Sequence, residues 1–121
     1  AGRRRGRALM KILIVDDNEE LAENLGELLE DEGHQVALEA SSAPAERLCA
    51  RACEFDLALL DICLGKEDGV DLAARLQAVC PTIRVALMTA YTDESHRARA
   101  LAVGPVLAKP VPLDDLLSLL Q

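Results

Sequence analysis

The segment Ile12-Leu-Ile-Val-Asp-Asp-Asn18 indicates the fold most clearly, because an apolar run there ends abruptly in acidic residues. Four consecutive large apolar residues, three of them β-branched, predict a short strand that is covered on both faces. Asp17 or Asn18 can cap the helix that follows, and Gly33 can end it. The apolar positions of that helix recur at helical spacing, at Leu21, Leu25, Leu28 and Leu29.

The same alternation of strand and helix runs through the rest of the chain. Further apolar runs predict strands over 36–38, 57–60, 83–88 and 106–108. Apolar residues at helical spacing follow each of these runs and predict four more helices. Five alternating units of this kind indicate an α/β protein, with a parallel sheet and helices on both faces of it.

Length and composition restrict the possible functions. A chain of 121 residues, half of them apolar, has room for a single core. Four arginines lie in the first nine residues, so the remaining 112 residues carry 9 basic and 21 acidic side chains, a net charge of −12. A region with this net negative charge repels the phosphate backbone of nucleic acids, so we expect no direct binding of nucleic acid. With one Tyr, one Phe and no Trp, a flavin sandwich or base-stacking surface is also disfavoured.

The cysteines and the first residues predict nothing specialised. No C-x-x-C pair is present, so we expect all four cysteines to be small, buried or half-buried free thiols in a reducing cytoplasm. Cys49 and Cys53 are four residues apart and would share a helix face, where a metal is the alternative. Residues 1–9 lack periodicity and are expected to form a disordered basic lead-in or linker, which leaves one domain over 10–121. No apolar run is long enough to cross a membrane.

Polar residues stand where the predicted strands end. Asp16 and Asp17 follow the first strand, Asp61 the third, Thr89 the fourth and Lys109 the fifth. Ligands of such sheets bind outside the carboxyl ends of the strands. Converging carboxylates repel one another, and a hard divalent ion such as Mg²⁺ together with the lysine would offset that repulsion. A carboxylate can also attack a phosphoryl group and form an acyl phosphate.

At these positions the chain resembles the receiver domains of two-component response regulators. The resemblance rests on Ile12-Leu-Ile-Val-Asp-Asp-Asn18, Leu59-Leu-Asp-Ile-Cys-Leu64 with Gly69, Met88-Thr-Ala90 and Lys109-Pro110, and it covers about residues 10–121. It implies a flavodoxin-like, doubly wound sheet of five parallel strands in the order 2-1-3-4-5, with five helices. It also implies a cytoplasmic phosphorelay module that catalyses only its own phosphotransfer and autodephosphorylation.

The resemblance assigns the metal site and the phosphoacceptor. Asp61 resembles the residue that takes a phosphoryl group from the phosphohistidine of a histidine kinase or of a histidine phosphotransfer protein. Asp17 resembles the direct Mg²⁺ ligand, and Asp16 the acid that reaches the metal through water. The backbone carbonyl of Cys63 would be a further ligand, and Asp61 itself another.

The remaining site residues resemble the parts that respond to phosphorylation. Thr89 resembles the switch hydroxyl, and Lys109 the lysine that pairs with Asp61 before phosphorylation and with the phosphoryl group afterwards. The Lys109-Pro110 bond is expected to be cis. We also expect Tyr91 either to shield the phosphoryl group from water or to lie at a partner interface.

Two departures from the family pattern concern the output of the domain. Val106 stands where the family usually has Tyr or Phe, so the usual coupled rotation of an aromatic ring is not available. Gly65 replaces a proline that commonly follows the phosphoacceptor, which loosens that loop. We expect a monomer, or a weak dimer through the face made by the fourth helix, fifth strand and fifth helix. The acidic face of the first helix is expected to meet the kinase.

Three alternatives remain on sequence alone. The receiver module of a hybrid sensor histidine kinase is one alternative, with the same chemistry and a different partner. A flavin or nucleotide binder of similar architecture would need a phosphate-binding loop after the first strand, but 16–20 is almost entirely acidic. A metal-dependent phosphatase would need a second acid two residues after its nucleophile, where this chain has Cys63.

Overall fold

Strands and helices alternate through most of the protein. The computed structural model describes residues 9–90 and 94–120. The elements are β1 (Lys11–Val15), α1 (Glu19–Asp31), β2 (Gln35–Glu39), α2 (Ser42–Arg51), β3 (Leu57–Asp61), β4 (Cys63–Leu64), β5 (Glu67–Asp68), α3 (Gly69–Val79), β6 (Arg84–Thr89), α4 (Glu94–Leu101), β7 (Val106–Ala108) and α5 (Leu113–Leu119). Each predicted strand and helix is present, with ends that differ from the prediction by a few residues at most.

Five of the strands form one parallel sheet in the order β2-β1-β3-β6-β7. This is the predicted order 2-1-3-4-5, with β6 and β7 as the fourth and fifth strands of the sheet. In the register of the central strands, Val15 pairs with Leu60 and Asp61 with Met88. Because the strands are parallel, the residues that follow them reach the same edge of the sheet.

The core lies on both faces of this sheet. Successive side chains of a strand point to opposite faces, and β1 divides accordingly. Leu13 and Val15 pack with buried residues of α2, α3 and α4, whereas Ile12 and Ile14 pack with those of α1 and α5. The predicted apolar stripe of α1 is correct except at Leu28, which is 38% exposed.

A two-stranded antiparallel hairpin, β4–β5, lies between β3 and α3 and was not predicted. Cys63 pairs with Asp68 and Leu64 with Glu67. The turn uses Gly65, whose φ of 62° lies in the left-handed region that glycine adopts without strain. Strands of two residues are too short for an alternating pattern to indicate them.

The expectation of four free thiols is wrong for two of the cysteines. Cys53 and Cys80 form a disulfide, with their Cα atoms 5.4 Å apart. Cys53 also lies beyond the end of α2 at Arg51, so it does not share a helix face with Cys49. Cys49 is a free and buried thiol, and Cys63 is free but exposed. The pairing joins segments 27 residues apart, which a spacing rule for local motifs does not detect.

The predicted basic lead-in, residues 1–9, lies outside the described residues except for Leu9, which is exposed. The domain boundary at residue 10 stays a prediction. No helix within the described ranges has the length and apolar character that a membrane span requires.

Candidate functional site

Three carboxylates meet at the carboxyl edge of the sheet, where the sequence predicts them. Oxygen atoms of Asp16, Asp17 and Asp61 all lie within 4.8 Å of one another. Asp16 and Asp61 are buried, and Asp17 is exposed to solvent. The sequence places them together because β1 and β3 are neighbours and both end at this edge.

The turn between β1 and α1 holds Asp16 in place. The Asn18 N–H donates to Asp16 Oδ1 over 2.9 Å, and the Asp16 N–H donates to the Glu39 carbonyl over 3.1 Å. Asn18 in turn caps α1, because its Oδ1 accepts a hydrogen bond from the Leu21 N–H over 3.1 Å. The first acid therefore faces the crevice while the second is left open to solvent.

Lys109 lies between the two buried acids. Its Nζ atom is 2.8 Å from Asp16 Oδ2 and 3.1 Å from Asp61 Oδ2. The Lys109 N–H donates to the Thr89 carbonyl over 2.9 Å, which extends the pairing of β7 with β6 to the residue after the strand. The peptide bond between Lys109 and Pro110 is cis, as predicted.

The charges at the site do not balance. Burial raises the pKa of Asp61 to about 6, and the neighbouring Asp16 contributes, although Lys109 and the Cys63 N–H oppose both effects. Burial disfavours the charge of Lys109, but its hydrogen bonds to Asp16 and Asp61 outweigh this and raise its pKa. One lysine is thus shared between two buried acids, with Asp17 as a third acid nearby, and an additional cation would favour the ionised form of Asp61.

The backbone of Cys63 contributes more to the site than its thiol does. The Cys63 N–H donates to Asp61 Oδ1 over 3.1 Å. The Cys63 residue is exposed overall, but slight burial of its thiol raises the pKa of that group. The carboxylates of Asp61 and Asp68 raise it further. The thiol is therefore held protonated, whereas the main chain at this residue is part of the Asp61 environment.

An open cavity of about 240 Å³ gives access to these groups. Its walls are Asp16, Asp17, Asn18, Asp61, Cys63, Ala90 and Lys109. Thr89 is buried at the end of β6 and does not line the cavity, although the next residue, Ala90, does. Tyr91 lies outside the described residues.

One glycine is required by close packing on Asp61. At Gly69, the first residue of α3, an added Cβ would lie 2.0 Å from the Asp61 carbonyl oxygen. The Gly69 N–H also donates to the Ile62 carbonyl over 2.8 Å. The sequence motif included this glycine, but only the structure gives the reason for it.

Comparison with known proteins agrees with the fold and identifies the family. The family model "Response regulator receiver domain" matches residues 12–121. A curated relative, the alginate biosynthesis transcriptional regulatory protein AlgB of Pseudomonas aeruginosa, is 37% identical over 108 residues. That match covers 88% of this chain and 24% of the relative, so the chain spans about a quarter of AlgB.

A second relative is of nearly the same length. The sporulation initiation phosphotransferase F of Bacillus subtilis is 32% identical over 108 residues, which cover 88% of this chain and 86% of the relative. Both relatives are named for regulation or phosphotransfer. The flavin- or nucleotide-binding alternative and the phosphatase alternative therefore find no support.

The fold comparison leads to the same family. A response regulator from Burkholderia pseudomallei, solved with a phosphorylated aspartic acid, a calcium ion and citrate, aligns with a TM-score of 0.83 at 32% identity. The alignment covers 93% of this chain and 66% of that one. A CheY-like receiver domain from Methanospirillum hungatei aligns with a TM-score of 0.81 at 29% identity, over 92% of this chain and 90% of that one. The chain belongs to the response regulator receiver domain family.

Proposed function

We propose that Asp61 accepts a phosphoryl group from the phosphohistidine of a histidine kinase or of a histidine phosphotransfer protein, in the presence of Mg²⁺. The observation that carries this proposal is the position of Asp61 at the wall of an open cavity, between Lys109 and two further acids. The donor supplies the phosphoryl group and the imidazole that leaves. This chain supplies the nucleophile and the groups that stabilise the transferring phosphoryl group.

The reaction is an in-line displacement at phosphorus. A carboxylate oxygen of Asp61 forms a bond to the phosphorus atom, and the bond from phosphorus to the histidine nitrogen breaks. The imidazole leaves with the bonding electron pair and takes up a proton from solvent. Asp61 must be ionised for this attack, and a neighbouring cation that lowers its pKa increases the ionised fraction.

Two side chains of the site are suited to the transferring group. Lys109 Nζ lies 3.1 Å from Asp61 Oδ2, close enough to turn from the carboxylate to a phosphoryl oxygen. Thr89 lies one strand position beyond Met88, the residue paired with Asp61, and its hydroxyl can approach the same group if the end of β6 shifts. Both roles are transition-state or product stabilisation by charge and hydrogen bonding.

The donor set fits a hard divalent cation. Three carboxylates within 4.8 Å offer oxygen ligands, which Mg²⁺ and Ca²⁺ prefer. Asp17 and Asp61 would bind the metal directly, Asp16 through water, and the Cys63 carbonyl would complete the protein ligands. A bound Mg²⁺ would neutralise charge on the phosphoryl oxygens. The calcium ion in the Burkholderia pseudomallei regulator supports a divalent site in the family.

The negative charge on α1 indicates which surface a kinase or phosphotransfer domain would contact. Exposed glutamates line α1, which begins directly after the cavity residue Asn18; they are Glu19, Glu20, Glu23, Glu27 and Glu30. A kinase or phosphotransfer domain with basic residues around its phosphohistidine would complement this face. We expect the domain to act in the cytoplasm, as a monomer or a weak dimer through α4, β7 and α5.

Labelling with a small phosphodonor tests the proposal. The protein is incubated with acetyl phosphate, with and without Mg²⁺, and the intact mass is measured. The expected product carries one phosphoryl group, requires Mg²⁺, is stable in acid and is lost in base. Asp61→Asn should abolish it.

Asp56→Asn is the matched control, since Asp56 lies just before β3 at the opposite edge of the sheet. This variant should be labelled as the wild type is. Labelling that survives Asp61→Asn, or that proceeds equally with EDTA, would contradict the proposal.

A further inference from the structure

Arg99 joins α4 to the start of α3. Its Nη1 atom lies 2.7 Å from Asp68 Oδ2, and its Nη2 atom lies 3.2 Å from Asp71 Oδ1. We call these three residues the α3–α4 clamp. A guanidinium that contacts two separate carboxylates restrains direction as well as distance, which a single ion pair does not.

One end of the clamp is built into the surroundings of Asp61. Asp68 pairs with Cys63 across the β4–β5 hairpin, and the Cys63 N–H donates to Asp61 Oδ1. Gly69, the next residue after Asp68, is in close contact with the Asp61 carbonyl. A displacement at Asp61 therefore reaches Asp68 through the hairpin and through the start of α3.

Asp68 divides its two oxygens between the helices. Oδ1 accepts a hydrogen bond from the Val70 N–H over 2.7 Å and so caps α3, while Oδ2 faces Arg99. Partial burial would raise the pKa of Asp68, but Arg99 and the Val70 N–H outweigh this and lower it. The carboxylate is thus charged, and its position is defined from both sides.

The other end of the clamp lies on α4, which also contacts β7. Val106 of β7 is half-buried and packs against the core cluster that contains Ala100 of α4. Ala100, the residue after Arg99, is fully buried in the core. A displacement of Arg99 is therefore transmitted to the packed helix α4. The clamp is a direct contact between α4 and the segment that follows Asp61.

We propose that the α3–α4 clamp carries the phosphorylation state of Asp61 to α4, with Arg99 as the positioning residue. The proposal rests on the proposed phosphorylation of Asp61. Phosphorylation adds negative charge and replaces the carboxylate that the Cys63 N–H contacts. The hairpin then adjusts, Asp68 moves with it, and Arg99 shifts α4.

Amide NMR spectra test this inference with fluoroberyllate and Mg²⁺ as the probe. Spectra are recorded before and after the addition for the wild type and for Arg99→Gln. In the wild type we expect shifts at 62–63, which report the site, and at 97–101, which report α4. In Arg99→Gln the shifts at 62–63 should remain, and those at 97–101 should fall to less than half.

Arg75→Gln is the matched control. Arg75 forms a comparable exposed ion pair with Glu46, 3.0 Å from Nε to Oε2, between α3 and α2, and it has no contact with the hairpin residues named above. This variant should keep the full response of α4. Arg99→Lys should restore only part of the response, because an ammonium lacks the two-sided geometry.

The possible outcomes separate the two proposals. Loss of the 62–63 shifts in the wild type would contradict the proposed function, and the inference would fall with it. Intact 62–63 shifts with an unchanged α4 response in Arg99→Gln, or with no α4 response in the wild type, would overturn the inference alone.

Discussion

Asp61 is subject to opposing effects within a few ångströms. Burial and Asp16 raise its pKa to about 6, while Lys109 and the Cys63 N–H lower it. The residue types and their strand-end positions were predictable from sequence, since the apolar runs stop at them. The balance among these charges was not, because it depends on the oxygen that each donor contacts.

The raised pKa predicts how stability depends on pH. Between the ordinary value of 3.8 and the folded value of about 6, the folded protein binds more protons than the unfolded chain. Its stability should therefore fall as pH rises through this window and stay lower above it. Asp61→Asn removes this effect, and in EDTA it should stabilise the protein by about 1–2 kcal/mol at neutral pH.

Urea unfolding at about pH 5 and about pH 7.5 measures this difference. Asp56→Asn removes a carboxylate at the opposite edge of the sheet and serves as the comparison. Identical slopes for Asp61→Asn and the wild type would show that Asp61 does not titrate as described.

Lys109→Gln should leave two buried acids without their shared cation. The pKa of Asp61 should rise further, and in the absence of metal the free energy of unfolding should fall by about 1–3 kcal/mol. Added Mg²⁺ should recover part of this loss, because a second cation then occupies the same acidic surroundings. A carboxyl-carbon NMR titration gives the pKa, and an unchanged or lower value would refute this explanation of the lysine.

The main strands and helices were predictable from sequence, whereas the short hairpin and the ion pairs between helices were not. Runs such as 12–15 and 57–60 are long enough to indicate buried strands. The β4–β5 hairpin is too short to leave a pattern, and Arg99 looks like any exposed arginine of a polar helix. Both depend on how α3 and α4 pack, which periodicity does not specify.

The close approach of α3 to the end of β3 predicts that a methyl group added at Gly69 destabilises the protein. Gly69→Ala would place a Cβ atom 2.0 Å from the Asp61 carbonyl oxygen, so the main chain must shift. We expect a loss of about 2–4 kcal/mol and weaker labelling of Asp61.

Gly26→Ala is the matched control, because a Cβ there meets Val36 at an ordinary 3.4 Å. In the middle of α1 it should leave stability unchanged or raise it by up to about 1 kcal/mol. Thermal unfolding of both variants measures the contrast. Equal effects of the two substitutions would mean that the close approach at Gly69 is not a constraint.

At the scale of the whole molecule, the Cys53–Cys80 disulfide joins the ends of the segment that carries Asp61. The 27-residue separation encloses β3, the hairpin and α3. Local sequence spacing identified neither partner, because the two residues approach only when α2 and α3 pack. The overall fold was predictable because it depends on many apolar residues, whereas this cross-link depends on one tertiary contact.

The cross-link should contribute to global stability. Reduction, or Cys53→Ser, is expected to lower the free energy of unfolding by about 3 kcal/mol, mainly because the unfolded chain regains freedom. Urea unfolding with and without reductant checks this for both proteins. The variant should be insensitive to reductant. A wild type that is equally insensitive, and that has four alkylatable thiols before reduction, would contradict the pairing.

If Asp61 becomes an acyl phosphate, the position of that group can be determined directly. Borohydride reduces a phosphorylated aspartate to homoserine, which peptide mass spectrometry locates. After treatment with acetyl phosphate and Mg²⁺, we expect homoserine at position 61 and at no other acid. Homoserine at position 16 or 17, or a labelled protein that yields none, would contradict it.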